Sequence, residues 1–352
     1  MRWAFIIVMT IASYAAGQSA YAISFVLPCE LARVNRSIHG RVVDFTNNHG
    51  KDRRIWSPAL NSRRDLYVYL PPGYDPCKKY PLAIFLHGAA QDERFFLQDV
   101  VKDLDKAIRC GQLPPCIVAA PDGSMIGRPT FMHMATFFAN SDAGCYEDYL
   151  MIDVWNFLMV NFPIRPEREA HALIGASMGG SAAFTQAIKH RDKIKVAIGF
   201  APALNMRWVD CHGRYMRAFD PECWGWREKV RPFEVVGRPK GIFAIRFRNL
   251  YGAEVGCGPD AMAKLSTFNP IEVMDCYNLK PGELDLFVAY GGKDEFNITA
   301  QVESFLFRAK ERGIEVAVAY DPKGKHTPAS ARRQFPEALR WVYPLVEPYS
   351  PR

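Results

Sequence analysis

Hydrophobic positions in this chain fall into short, dense runs. "YPLAIFLHG", residues 80–88, is apolar without a break and ends at glycine, the pattern of a strand buried on both faces. The form recurs in "PCIVAAPDG" (115–123), "HALIGAS" (171–177), "KVAIGF" (195–200), "LDLFVAYGG" (284–292) and "EVAVAY" (315–320). Earlier, "RDLYVYLPPGYD" (64–75) alternates Leu66, Val68 and Leu70 with Tyr67 and Tyr69, then stops at Pro71-Pro72-Gly73. A further strand is expected at "RVVDF". Helix-length patterns lie between the runs, at about 97–110, 146–161, 178–190, 299–312 and 328–345. Buried strands alternating with helices imply right-handed crossovers and a mostly parallel sheet with helices on both faces. Residues 203–268 break this rhythm and are read as an irregular insertion over the sheet.

The first 22 residues read differently. Arg2 precedes an apolar run from Trp3 to about Gly17, and Ala20-Tyr21-Ala22 has the form of a cleavage site, so residues 1–22 are expected to be a signal peptide. The division that follows is an N-terminal extension at 23–62 and a catalytic domain at 63–352 carrying the insertion. No second apolar run reaches membrane-spanning length. The expectation is an exported protein, periplasmic or secreted, without stable membrane insertion after cleavage. Its net charge of +7 comes from dispersed Lys and Arg, which gives no basis for nucleic-acid binding. Nine cysteines leave at least one unpaired, and Cys110–Cys116 and Cys211–Cys223 are each candidates for a local bridge. With no C-x-x-C pair, no metal site is expected.

Gly175-Ala176-Ser177-Met178-Gly179 spells G-x-S-x-G between a buried strand and a helical pattern, the context of a nucleophile elbow. Small neighbours are needed there because strand and helix close tightly on the serine. An acyl-transfer site also needs backbone N–H donors at the developing oxyanion. Met178, after the serine, supplies one, and Ala89, in the turn after the buried strand ending at His87-Gly88, supplies the other. His87 itself is read as a core histidine bonded to its loop.

Serine also needs a base and an orienting acid. Three histidines lie downstream. His190 is at the far end of the helix that begins at the elbow, roughly 20 Å away at 1.5 Å per residue. His212 is in the insertion. His326, in the loop between a late strand and the last helix, is the expected base. Asp294 comes first in the loop after "LDLFVAYGG" and suits the shorter reach, with Glu295 the alternative; Asp321 is too near His326 in sequence to be favoured. Asn297 is better placed as the helix N-cap. Trp224 and Trp226 in the insertion either stack on a sugar ring or phenolic acyl group, or pack the insertion onto the sheet.

The ordered motifs "YPLAIFLHG", "PDG", "GASMGGSAAF", "GGKDEF" and the late "KH" resemble the putative-esterase family of α/β-hydrolases. That group includes feruloyl and acetyl-xylan esterases, S-formylglutathione hydrolases and mycolyltransferases. The resemblance spans about residues 60–345 and implies an α/β-hydrolase fold. It implies a serine carboxylesterase with Ser177 as nucleophile, Asp294 as acid and His326 as base. The N–H groups of Ala89 and Met178 would hold the oxyanion, with no metal or organic cofactor. The substrate would be a small-molecule or polysaccharide-linked ester. An acyltransferase would use the same residues, and a non-catalytic binding domain is the third reading.

Overall fold

The computed structural model describes residues 30–130 and 134–352. The expected signal peptide and Cys29 lie outside the described residues. Eight strands form one sheet: β1 (Arg41–Phe45), β2 (Leu66–Leu70), β3 (Leu82–Leu86), β4 (Ile117–Pro121), β5 (His171–Ala176), β6 (Val196–Phe200), β7 (Asp285–Gly291) and β8 (Val316–Asp321). Their spatial order is β1-β2-β4-β3-β5-β6-β7-β8. β1 and β2 pair antiparallel, as do β2 and β4, and every other pairing is parallel. This is the α/β-hydrolase architecture. The segment at 23–62 is therefore no appendage where it is described: β1 is the edge strand of the catalytic sheet.

Five helices matter below: α1 (Val101–Arg109), α2 (Trp155–Asn161), α3 (Met178–Lys189), α4 (Ile298–Glu311) and α5 (Pro328–Val346). One face of the sheet packs Leu66, Ile84, Leu86 and Leu173 against residues of α2, α3 and α4. The opposite face packs Tyr67, Tyr69, Phe85 and Ile198 against residues of α1 and α5. Two-sided cover explains the unbroken apolar runs. It also explains β2, whose alternation of aliphatic and tyrosine residues would equally suit a half-exposed strand. Both sides are buried, and the tyrosine hydroxyls find polar partners, Asp105 for Tyr69 and His49 for Tyr67.

Of the two proposed bridges, Cys211–Cys223 is formed. Cys110–Cys116 is not: Cys110 is an exposed free thiol at the end of α1, and Cys116 is buried just before β4. No helix among the described residues is long and apolar enough to cross a membrane.

Candidate active site

Ser177 stands between β5 and α3 with φ +54 and ψ −118, a conformation costly for any residue with a side chain. Surrounding bonds enforce it: the Ser177 N–H donates to the Phe200 carbonyl at 2.8 Å, and its carbonyl accepts the Ser181 N–H at 3.0 Å. The glycines are required by space. A Cβ on Gly175 would fall on the Gly179 backbone, and one on Gly179 would strike the Leu86 and His87 carbonyls.

The loops after β7 and β8 are tied together at their start. Gly292 N–H donates to the Asp321 carbonyl and Lys293 N–H to the Gly324 carbonyl, each at 2.9 Å. Asp294 and His326 follow directly and meet. His326 Nδ1 lies 2.7 Å from Asp294 Oδ2, and its Nε2 lies 2.9 Å from Ser177 Oγ. With Nδ1–H donating to the carboxylate, Nε2 is free to accept the serine proton. Burial disfavours a charged imidazole here, yet the Asp294 carboxylate outweighs it with help from Glu295, and the His326 pKa is raised above its ordinary value. Asp294 Oδ1 accepts the Phe296 N–H at 2.9 Å, so both carboxylate oxygens are engaged and its side chain is fully buried.

The other candidates are elsewhere. His190 pairs with Glu147. His212 is exposed beside the disulfide, and Asp321 is bonded to Arg333. Glu295 is not in the place of the acid but accepts the backbone N–H of His326 at 3.0 Å, fixing the loop that carries the ring. Sequence reasoning missed that role; the adjacency of two carboxylates in "KDE" was its one trace. His87 is fully buried, accepts the Gly123 N–H at Nε2 and lies 2.9 Å from the Gly88 carbonyl through Nδ1. Burial lowers its pKa, so it stays neutral and structural.

In the turn after β3, Gly88 N–H donates to Gln91 Oε1 and Ala90 N–H to the Met134 carbonyl. The N–H groups of Ala89 and Met178 have no acceptor among the described residues. Both residues line the cavity that holds Ser177 and His326, and Met178 opens α3, whose N-terminal dipole favours negative charge.

The space around Ser177 and His326 continues along the sheet toward α1 and α5, past Phe85, Val118, Ala172 and Val342. Its volume of about 1040 Å³ covers both parts, and its lining is largely apolar. The insertion contributes Tyr215, Val236, Phe243, Ile245 and Tyr251 to its wall. Trp224 and Trp226 do not reach it. They form a short strand paired with Trp208–Asp210, and Trp224 packs on Phe219 and Phe307 of α4. Of the two readings, packing is what the contacts describe. Cys211, His212 and Cys223 bring ligand-type atoms within 4.8 Å, but both sulfurs are in the disulfide and cannot act as thiolate ligands.

Fold and sequence define an α/β-hydrolase of the serine class. The chain belongs to the putative esterase family, whose model matches residues 57–253, more than half of its length, and it is a carboxylic ester hydrolase. The match takes in Ser177 and ends before Asp294 and His326. Among solved structures, a ferulic acid esterase is similar with a TM-score of 0.60 at 17% identity, over 88% of this chain and 99% of that one. An S-formylglutathione hydrolase from Agrobacterium tumefaciens gives 0.60 at 15%, over 88% and 96%. A ferulic acid esterase from Anaeromyces mucronatus gives 0.57 at 17%, over 87% and 91%. At these identities the likeness is one of fold. A 66-residue stretch is 43% identical to endo-1,4-beta-xylanase Y of Acetivibrio thermocellus, covering 18% of this chain and 6% of that protein.

Proposed function

We propose that the protein is an exported serine carboxylesterase that hydrolyses an ester with an apolar or aromatic acyl group, such as a carbohydrate-linked feruloyl ester. The observation that carries this reading is the unbroken line of hydrogen bonds from Ser177 Oγ through His326 to Asp294 at the wall of an apolar cavity. Ser177 Oγ attacks the ester carbonyl while His326 Nε2 takes its proton. The carbonyl oxygen becomes negative against the N–H groups of Ala89 and Met178, and Asp294 stabilises the imidazolium. His326 returns the proton to the departing alkoxide, leaving an acyl group on Ser177. Water, activated by the same base, releases the acid.

An aromatic acyl group is supported by the aromatic wall, Phe137, Tyr215, Tyr251 and Phe296, and by relatives of the same fold that are ferulic acid esterases, one of them in complex with ferulic acid. Export is supported by the leader pattern and the disulfide.

The test is hydrolysis of p-nitrophenyl acetate, p-nitrophenyl butyrate and methyl ferulate by wild type and Ser177→Ala. The reading expects turnover that Ser177→Ala abolishes; no turnover of any ester, or equal rates in the variant, would overturn it. Partition of product toward an added sugar alcohol would make the protein an acyltransferase instead.

A further inference from the structure

The loop that carries Asp294 is gripped by one short segment of the insertion. Tyr215 is buried and donates its hydroxyl to the Phe296 carbonyl at 2.7 Å, while accepting from Gln301 Nε2 at 2.8 Å. The Tyr215 carbonyl accepts Asn297 Nδ2 at 2.6 Å and the Trp208 indole N–H at 3.1 Å. Arg217 supplies a second carbonyl to Asn297 Nδ2, at 3.1 Å. Asn297 stands at the N-cap of α4 with φ +54, yet its side chain makes no cap bond; the amide is directed at the insertion instead. Phe296, held in this way through its carbonyl, donates its own N–H to Asp294 Oδ1 and lays its ring 4.7 Å from the His326 ring. A chain of contacts therefore runs from Tyr215 through Phe296 to the acid and the base.

Tyr215 and Arg217 both lie in the loop closed by Cys211–Cys223. Between the two cysteines only Tyr215 is buried, and only Gly213 and Phe219 are half-buried. The loop's stem is the ladder of Trp208–Asp210 against Trp224–Trp226, which the disulfide ends with a covalent tie, and Phe219 packs on Trp208, Trp224 and Phe307. Without that tie the mostly polar loop beyond the ladder regains conformational freedom that only non-covalent contacts oppose.

We propose that Tyr215, held in place by the Cys211–Cys223 disulfide, is a positioning residue for the Asp294 carboxylate, so that turnover depends on the oxidation state of that bond. This rests on reading Ser177, His326 and Asp294 as the triad. Cys211 is exposed, and apart from Cys211 and Cys223 the cysteines among the described residues are free thiols, so a dithiol meets one disulfide there. The dithiol supplies two electrons and two protons. The S–S bond becomes two thiols, and the reductant becomes a disulfide. Activity is thereby tied to an oxidising compartment.

The experiment measures kcat and KM on p-nitrophenyl acetate for wild type with and without dithiothreitol, for Tyr215→Phe, for Cys211→Ser/Cys223→Ser and for Ser177→Ala. Rates are normalised to sites labelled by a fluorophosphonate after long incubation. Misplacing the acid lowers kcat per labelled site roughly ten- to a hundredfold with KM little changed. Reduced wild type should lose activity and regain it on reoxidation, and Tyr215→Phe should fall in the same direction. The double serine variant should be slow and indifferent to dithiothreitol. Wild-type kcat per site in Tyr215→Phe and in reduced enzyme would overturn the proposal, as would a loss confined to the number of labelled sites. If the double variant does not fold, Tyr215→Phe and reduction of folded wild type still decide. Full turnover by Ser177→Ala would instead refute the triad, a distinct failure.

Discussion

Two adjacent carboxylates, Asp294 and Glu295, occupy different jobs within one loop. Asp294 orients the His326 ring, and Glu295 holds the His326 backbone. Asp294→Asn should therefore lower kcat by about 10⁴, as loss of the orienting acid does in serine hydrolases. Glu295→Gln keeps an acceptor for the backbone N–H and removes only charge, so kcat should change less than about tenfold at alkaline pH. The two variants are compared by steady-state rates on a p-nitrophenyl ester. In the proposed mechanism turnover needs neutral His326, whose pKa is raised by the Asp294 carboxylate. Activity should accordingly be full on the alkaline side and fall as pH drops through a midpoint above the ordinary histidine value of about 6.5. Glu295→Gln should move that midpoint to lower pH, because one of the charges that raises it is gone; an unmoved midpoint in the pH–rate profile would count against this. At this scale the sequence separated His326 from His190 and His212 by their place between elements. It ordered Asp294 before Glu295 without revealing the second role, since which oxygen meets which N–H depends on loop geometry that no spacing encodes.

At the scale of elements, the elbow is where local pattern and tertiary packing agree. A strand with small residues, a serine and a helix opening in two glycines were legible because each demand is local. Gly179→Ala places a methyl group against the Leu86 and His87 carbonyls, which belong to backbone and cannot swing away. It should destabilise the fold by about 3 kcal/mol, read as a fall in the urea midpoint. The short strand carrying Trp224 and Trp226 teaches the opposite lesson. Aromatic density in a loop-rich insertion does not say which way the rings point, and these pack on Phe219, Phe307 and each other rather than line the cavity. Trp224→Ala should cost about 2 kcal/mol of stability while leaving KM for methyl ferulate unchanged. A raised KM at unchanged stability would restore the substrate-binding reading.

For the whole molecule, the mostly parallel sheet and its two apolar layers follow from the run-and-helix alternation and were readable without coordinates. The spatial order of the strands was not, because a crossover's length does not say which neighbour it reaches. The insertion was readable only as a break in that rhythm. Its contribution is long-range: Tyr215 reaches Phe296, and Arg238 N–H donates to the Glu295 carbonyl at 2.9 Å, across separations that no periodicity reports. The Cys110–Cys116 pairing failed for a related reason. Nearness in sequence did not bring the two side chains together, because one ends a helix at the surface and the other enters a buried strand. Everything proposed for the molecule converges on Ser177 as the attacking atom. The most direct measurement is peptide mass spectrometry of the protein after reaction with a fluorophosphonate. The account predicts one phosphonyl adduct, on Ser177, formed in step with loss of esterase activity and absent from Ser177→Ala. An adduct on another residue, or inhibition of the enzyme with Ser177 unmodified, would contradict it.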